Sequence, residues 1–162
     1  MENDLINSAE RLILLLSEKG LTLSIAESCT GGLICHAITS VPGASKVFHS
    51  GIVSYSMDSK LRLLGIDEKI INTYGTISEE TAKAMAETMR IKTGTDLSLS
   101  TTGNLGPEAL EEKDTGLVYF SVNHRNGVVV KKRLFQKDRY HNKYDAAMEG
   151  INLLMEVISK DI

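Results

Sequence analysis

The chain has 162 residues, 42% hydrophobic and 24% charged, with a formal net charge of -3. That length allows one domain with a real core, expected here to span residues 1–162, and the balance of apolar to charged residues is that of a globular protein. The slight acidic excess argues against general nucleic-acid binding, and 5% aromatics without a single Trp leave few platforms on which bases stack.

Leu5, Ala9, Leu12, Ile13 and Leu16 fall on one face of a first helix over residues 5–19, which Gly20 stops. Its apolar run is too short to span a membrane, and Glu2 and Asp4 do not suit a signal peptide, so a cytoplasmic location without a membrane partner is expected. Leu21, Leu23 and Ile25 alternate with Thr22 and Ser24 as a strand. Ala-Glu-Ser-Cys-Thr-Gly-Gly at 26–32 follows, and Leu33, Ile34, Ala37 and Ile38 then recur at helical spacing up to residue 40. A strand, a hydroxyl-and-glycine turn and a helix in that order aim free backbone N–H groups above the turn, a place that suits oxyanions.

Pro42-Gly43 breaks this helix, and a turn at 45–49 leads to a strand over 51–56. Short helices are expected over 58–64 and 67–73, ending at Gly65 and before Gly75. Ser78 N-caps a helix to about residue 92, with Ala82, Met85, Ala86 and Met89 on its inner face. A buried strand over 96–100 precedes a long aperiodic loop, 101–115. Two strands, 116–123 and 128–135, form a hairpin around Asn126-Gly127, and a last helix runs from 139 to about 159. The alternation of helix and strand followed by a hairpin predicts an α/β fold, a three-layer α/β/α sandwich with a mixed sheet. Ligands of such sheets gather beyond the C-terminal strand ends, where the loops at 26–32, around Ser45 and at 101–107 are expected to meet.

The common catalytic and nucleotide-binding patterns are absent: no Walker A loop, Gly-x-Gly-x-x-Gly, Gly-x-Ser-x-Gly or His-Glu-x-x-His occurs. Cys29 and Cys35 form no zinc pattern with the four histidines, so neither metal nor cofactor is expected and the thiols are read as reduced. Cys29, near a helix start, has no histidine paired with it and is a weak nucleophile candidate. What remains is hydroxyls and one lysine. Ser45 sits on a tight turn, Lys60 opens the helix beyond the next strand, and Tyr55 ends that strand. A serine needs a base, and a lysine kept neutral by its surroundings can serve. Spacing alone reads Lys60 as an exposed helix lysine.

Ala-Glu-Ser-Cys-Thr-Gly-Gly at 26–32, Pro-Gly-Ala-Ser at 42–45, Gly-Ile-Val-Ser-Tyr-Ser at 51–56, Lys60 and Leu-Gly-Ile at 64–66 resemble the C-terminal domain of the competence-damage-inducible protein CinA, which also occurs alone as nicotinamide-nucleotide amidase. The resemblance runs from the first helix to the last and implies the stand-alone form. It implies hydrolysis of the carboxamide of nicotinamide mononucleotide to nicotinic acid mononucleotide and ammonia. Ser45 would be the nucleophile and Lys60 the general base, with Tyr55 relaying a proton or holding the lysine. Ser28 and Thr102 match polar positions of the family's pocket, and Arg139 matches an arginine suited to the substrate phosphate. Thr30, Gly31, Gly32 and Gly103 complete the expected substrate contacts, with backbone N–H groups near 30–32 or 43–45 forming an oxyanion hole. A homodimer or higher homo-oligomer is implied, and the last helix or the Met85/Met89 face would suit its contact. Two departures stand out. Asn104-Leu105 replaces an Ile-Ala pair, and Lys137 replaces a glycine, where it would be strained at positive φ or else add a phosphate contact. They keep open a non-catalytic nucleotide-binding module and a related amide hydrolase with another substrate.

Overall fold

In a computed structural model that describes residues 1–162, the side chain of Asp161 excepted, the elements run α1 (Glu2–Lys19), β1 (Leu23–Glu27), α2 (Leu33–Thr39), β2 (Phe48–Val53), α3 (Met57–Ser59), α4 (Glu68–Tyr74), α5 (Glu79–Thr93), β3 (Leu97–Gly103), β4 (Leu117–His124), β5 (Gly127–Leu134) and α6 (Arg139–Asp161). The strands form one mixed sheet in the order β2-β1-β3-β4-β5. β1 lies parallel to both β2 and β3, and the β4–β5 hairpin extends the sheet antiparallel. Helices cover both faces, as expected of an α/β/α sandwich.

The pleat decides which residue meets which layer. Leu23, Ile25, Leu97 and Leu99 face α1, α2 and α6, where Leu5, Leu12, Leu16, Ile34, Ile38, Ile151 and Leu154 fill the main core. Fully burying each such side chain stabilises the fold by about 2 kcal/mol. On the other face Ala26 meets Met85 and Met89 in a smaller cluster with Leu64 and Ile71. Both methionines are therefore core and do not offer an oligomer contact. Ser98 and Ser100 also face α5, donating to the carbonyls of Ala86 and Ala82 at 2.6 Å each. Small hydroxyl and alanine side chains let that helix lie close to the sheet.

Several boundaries move, for physical reasons. β1 begins at Leu23 because Thr22 is tied to Asp96, whose carboxylate accepts from the Thr22 amide at 2.8 Å and its hydroxyl at 2.7 Å. β3 runs on to Gly103, beyond residue 100, because the hydroxyls of Thr101 and Thr102 find partners inside the fold. The hairpin turns one residue early, on Arg125-Asn126, with His124 facing Gly127. The helix expected over 58–64 divides into α3 and a wide π turn, Lys60–Leu64.

Candidate functional site

At the C-terminal ends of the parallel strands, Glu27 pairs with Val53 on one side and Thr101 on the other, so the residues just past β1, β2 and β3 converge. Ser28 is the first residue beyond β1. Its amide donates to the Thr101 carbonyl at 3.0 Å, and its own carbonyl accepts from Gly31 N–H at 3.0 Å. Behind it the Glu27 carboxylate, fully buried, accepts from the amides of Gly32, Ile34 and Cys35 at 2.9, 3.3 and 2.8 Å. That carboxylate caps α2 and fixes the turn on which Ser28 stands.

Lys60 reaches this turn from the far side of β2. A reciprocal Ser56–Ser59 capping box starts α3, and Lys60 opens the π turn with its side chain inward, only 1% exposed. Its Nζ donates to Ser28 Oγ at 2.9 Å, to the Ser54 carbonyl at 2.8 Å and to the Tyr55 carbonyl at 3.4 Å. Burial lowers its pKa from 10.5 to about 8, against smaller opposing effects of Cys29 and Glu111. An amine poised near neutrality thus lies within hydrogen-bond range of a hydroxyl.

The pair opens into a cavity of about 100 Å³ lined further by Tyr55, Thr76, Ile77, Thr102, Gly103 and Leu110. Arg139, at the start of α6, closes one side. Its guanidinium donates to Tyr55 Oη at 2.7 Å and to the Gly106 carbonyl at 2.6 Å. Thr102 donates its hydroxyl to the Thr76 carbonyl at 2.6 Å, which ties β3 to the segment before α5. Gly103 has no room for a side chain, since a Cβ would lie 2.5 Å from the Leu117 carbonyl oxygen.

Of the residues singled out in the sequence, Ser28, Lys60, Tyr55, Thr102, Gly103 and Arg139 come together here. Ser45 does not, and this corrects the expected dyad. Ser45 precedes β2 whereas Lys60 follows it, and the strand between them, Phe48–Val53, spans about 16 Å at the usual rise per residue. Ser45 is exposed beside Pro42 and Phe48 at the opposite end of the sheet. The loop around it therefore misses the site, as does any oxyanion hole at 43–45. The alternative hole at 30–32 is also largely used up, because the Gly31 and Gly32 amides already donate to Ser28 and Glu27. Thr30 is buried, its hydroxyl bonded to that of Thr101 at 2.8 Å, and it braces the turn from behind. Cys29 lines the cavity, yet burial and the neighbouring Glu27 push its thiol up to about 12, so it is no ready thiolate. Lys137 is not at positive φ, and its ammonium pairs with Asp145 at 2.7 Å. Asn104 organises its turn, accepting from Gly106 N–H at 2.9 Å and donating to the Glu108 carbonyl at 2.8 Å. Thr76, Ile77 and Leu110 went unnoticed in the sequence, where nothing but their place beside Ser78 and the acidic run marks them.

Comparison with known proteins agrees in fold and in sequence. A family model described as the CinA C-terminal domain matches residues 6–158. A relative in Clostridium beijerinckii, named after competence-damage induction, is 42% identical over 156 residues, covering 96% of this chain and 38% of its own length. A CinA-like protein of Dictyoglomus turgidum is 42% identical over 146 residues, 90% of this chain and 36% of its own. The chain thus spans little more than a third of these relatives. A crystal structure of the competence/damage inducible protein CihA from Agrobacterium tumefaciens superposes with a TM-score of 0.90 at 32% identity, covering 97% of this chain and 96% of that one. A competence or damage-inducible protein from Enterobacter asburiae gives 0.92 at 27% identity, covering 95% and 98%.

Proposed function

The chain belongs to the CinA C-terminal domain family, and from that premise we propose that it is an amidohydrolase in which Ser28 and Lys60 form the catalytic dyad and the carboxamide of nicotinamide mononucleotide is the substrate. The observation that carries this reading is the 2.9 Å contact between Lys60 Nζ and Ser28 Oγ at the floor of a cavity. Neutral Lys60 takes the Ser28 proton as Oγ adds to the carboxamide carbon. The same proton then passes to the departing nitrogen, which leaves as ammonia, and Ser28 is acylated. Lys60 next deprotonates a water that attacks the ester, and its proton returns to Ser28 Oγ as the carboxylic acid is released. The Ser54 and Tyr55 carbonyls hold the amine in line throughout. A cavity of this size takes the carboxamide ring, and the ribose phosphate then lies at the rim beside the exposed Arg139 and Tyr55. An arginine matches a phosphate with paired donors.

Ser28→Ala is expected to abolish ammonia release from nicotinamide mononucleotide, while Ser45→Ala retains wild-type turnover. Loss in the second and not the first would reinstate Ser45 as nucleophile. Binding of the nucleotide by the wild type with no ammonia formed would leave only a binding module. Because the base works in its neutral form and burial brings its pKa to about 8, kcat/KM should rise with pH through about 8 and fall roughly tenfold per unit below it. A profile flat from pH 6 to 9 would remove Lys60 as the base.

A further inference from the structure

Between β3 and β4 the chain forms a strap, residues 104–116, that supplies Asn104, Leu105 and Leu110 to the cavity wall. Midway along, Glu111 latches it to the segment before α5. One carboxylate oxygen accepts from the Thr76 amide at 3.0 Å and from the Thr76 hydroxyl, and the other accepts from the Ile77 amide at 3.1 Å. Thr76 and Ile77 themselves line the cavity, and the Thr76 carbonyl is the acceptor for Thr102. Room for the carboxylate exists because residue 75 is a glycine: a Cβ there would lie 2.5 Å from Glu111 Oε2. The strap holds Glu111 and Glu112 at φ of 52° and 56°, a region such side chains rarely occupy without compensation.

We propose that Glu111 is a positioning residue of the amidase, fixing the Thr76–Ile77 wall of the cavity from the strap. The proposal rests on the Ser28–Lys60 reading. Lys60 is faced by the Cys29 thiol, the Tyr55 phenol and the Arg139 guanidinium in the cavity, with the Glu27 carboxylate behind the Ser28 turn. Burial pushes the Lys60 amine down, and the charge of Glu111 opposes it by favouring the protonated form, while the Cys29 thiol, pushed up to about 12, is uncharged in that range. Its carboxylate is itself held below its usual range by the Thr76 and Ile77 donors, overcoming desolvation, so it stays ionised wherever the base works. A latched strap therefore keeps the amine more basic than burial alone would.

The test compares wild type with Glu111→Gln and Glu111→Asp by amide hydrogen exchange at Thr76 and Ile77, by NMR titration of the Lys60 side chain, and by the pH profile of ammonia release. The first two need no turnover. Glu111→Gln cannot accept from both amides, so their exchange should quicken several-fold, and loss of its charge should move the Lys60 midpoint and the rising limb of activity down by on the order of half a pH unit. Glu111→Asp keeps the charge but shortens the reach, so exchange quickens while the midpoint stays near that of the wild type. Unchanged exchange, or an unchanged midpoint in Glu111→Gln, overturns the role given to Glu111. A wild type that releases no ammonia overturns the amidase reading instead, a separate result that the two spectroscopic measurements do not depend on.

Discussion

Lys60→Met should release ammonia from nicotinamide mononucleotide at least about a thousandfold more slowly than the wild type, the scale of loss when a base that also activates the nucleophile is removed. Methionine fills the same volume without an amine, and Lys60 is inward-facing and 1% exposed, so the substitution leaves the rim untouched. Nucleotide affinity should therefore stay within a few-fold of wild type. Lys60→Arg provides the sharper control. A guanidinium donates to Ser28 as well as an ammonium does, but it cannot be deprotonated. If the lysine served only to hold the serine in place, arginine would restore much of the rate. As a base it leaves arginine as inactive as methionine. Single-turnover ammonia release, with thermal unfolding beside it to check the fold, separates the two.

Glu27→Ala should be the most destabilising single change near the site. The carboxylate is completely buried and accepts three backbone amides from the first turn of α2. Truncation leaves those donors, one buried and two partly buried, without their acceptor beside the void it opens, at a cost of about 3–5 kcal/mol. For a chain of this length that is a fall of about 10 °C in Tm. Glu27→Gln keeps one acceptor oxygen and should lose about half as much. Because the Ser28 backbone is anchored through the same turn, activity should fall along with stability. Denaturant unfolding of the three proteins measures the order, and a Tm for Glu27→Ala within two degrees of wild type would show that the helix start is held by something else.

Much of the fold was legible because it rests on local periodicity. The helices on either side of the 26–32 turn, the Gly20 stop of α1, the Ser78 cap of α5 and the β4–β5 hairpin all follow from spacing of apolar residues and turn chemistry. The site was legible in part. Ser28, Tyr55, Lys60, Thr102 and Arg139, which the resemblance marks, line one cavity, whereas Thr30, Gly31 and Gly32 do not. Ser45 was misplaced although the means to avoid it were present. Once β1 and β2 are parallel, a residue just before β2 must lie at the opposite end of the sheet from one just after β1. The burial of Lys60 was not legible, because it depends on a π turn that no short-range pattern announces. Nor was the Glu111 latch, a contact between residues 34 and 35 positions apart.

The π turn has one more consequence. It holds an extra residue compared with an ordinary helical turn, and Lys60 at its start and Leu64 at its end are both buried while Arg62 and Leu63 point outward. Adding one more residue among 61–63 would turn everything beyond it by about 100° around the axis, because the turn is already one residue wider than regular winding and has no further slack to absorb it. The exposed Arg62 and Leu63 should thus accept most changes of letter but not an added one, and insertions there should be far rarer than substitutions in any functional library of this protein.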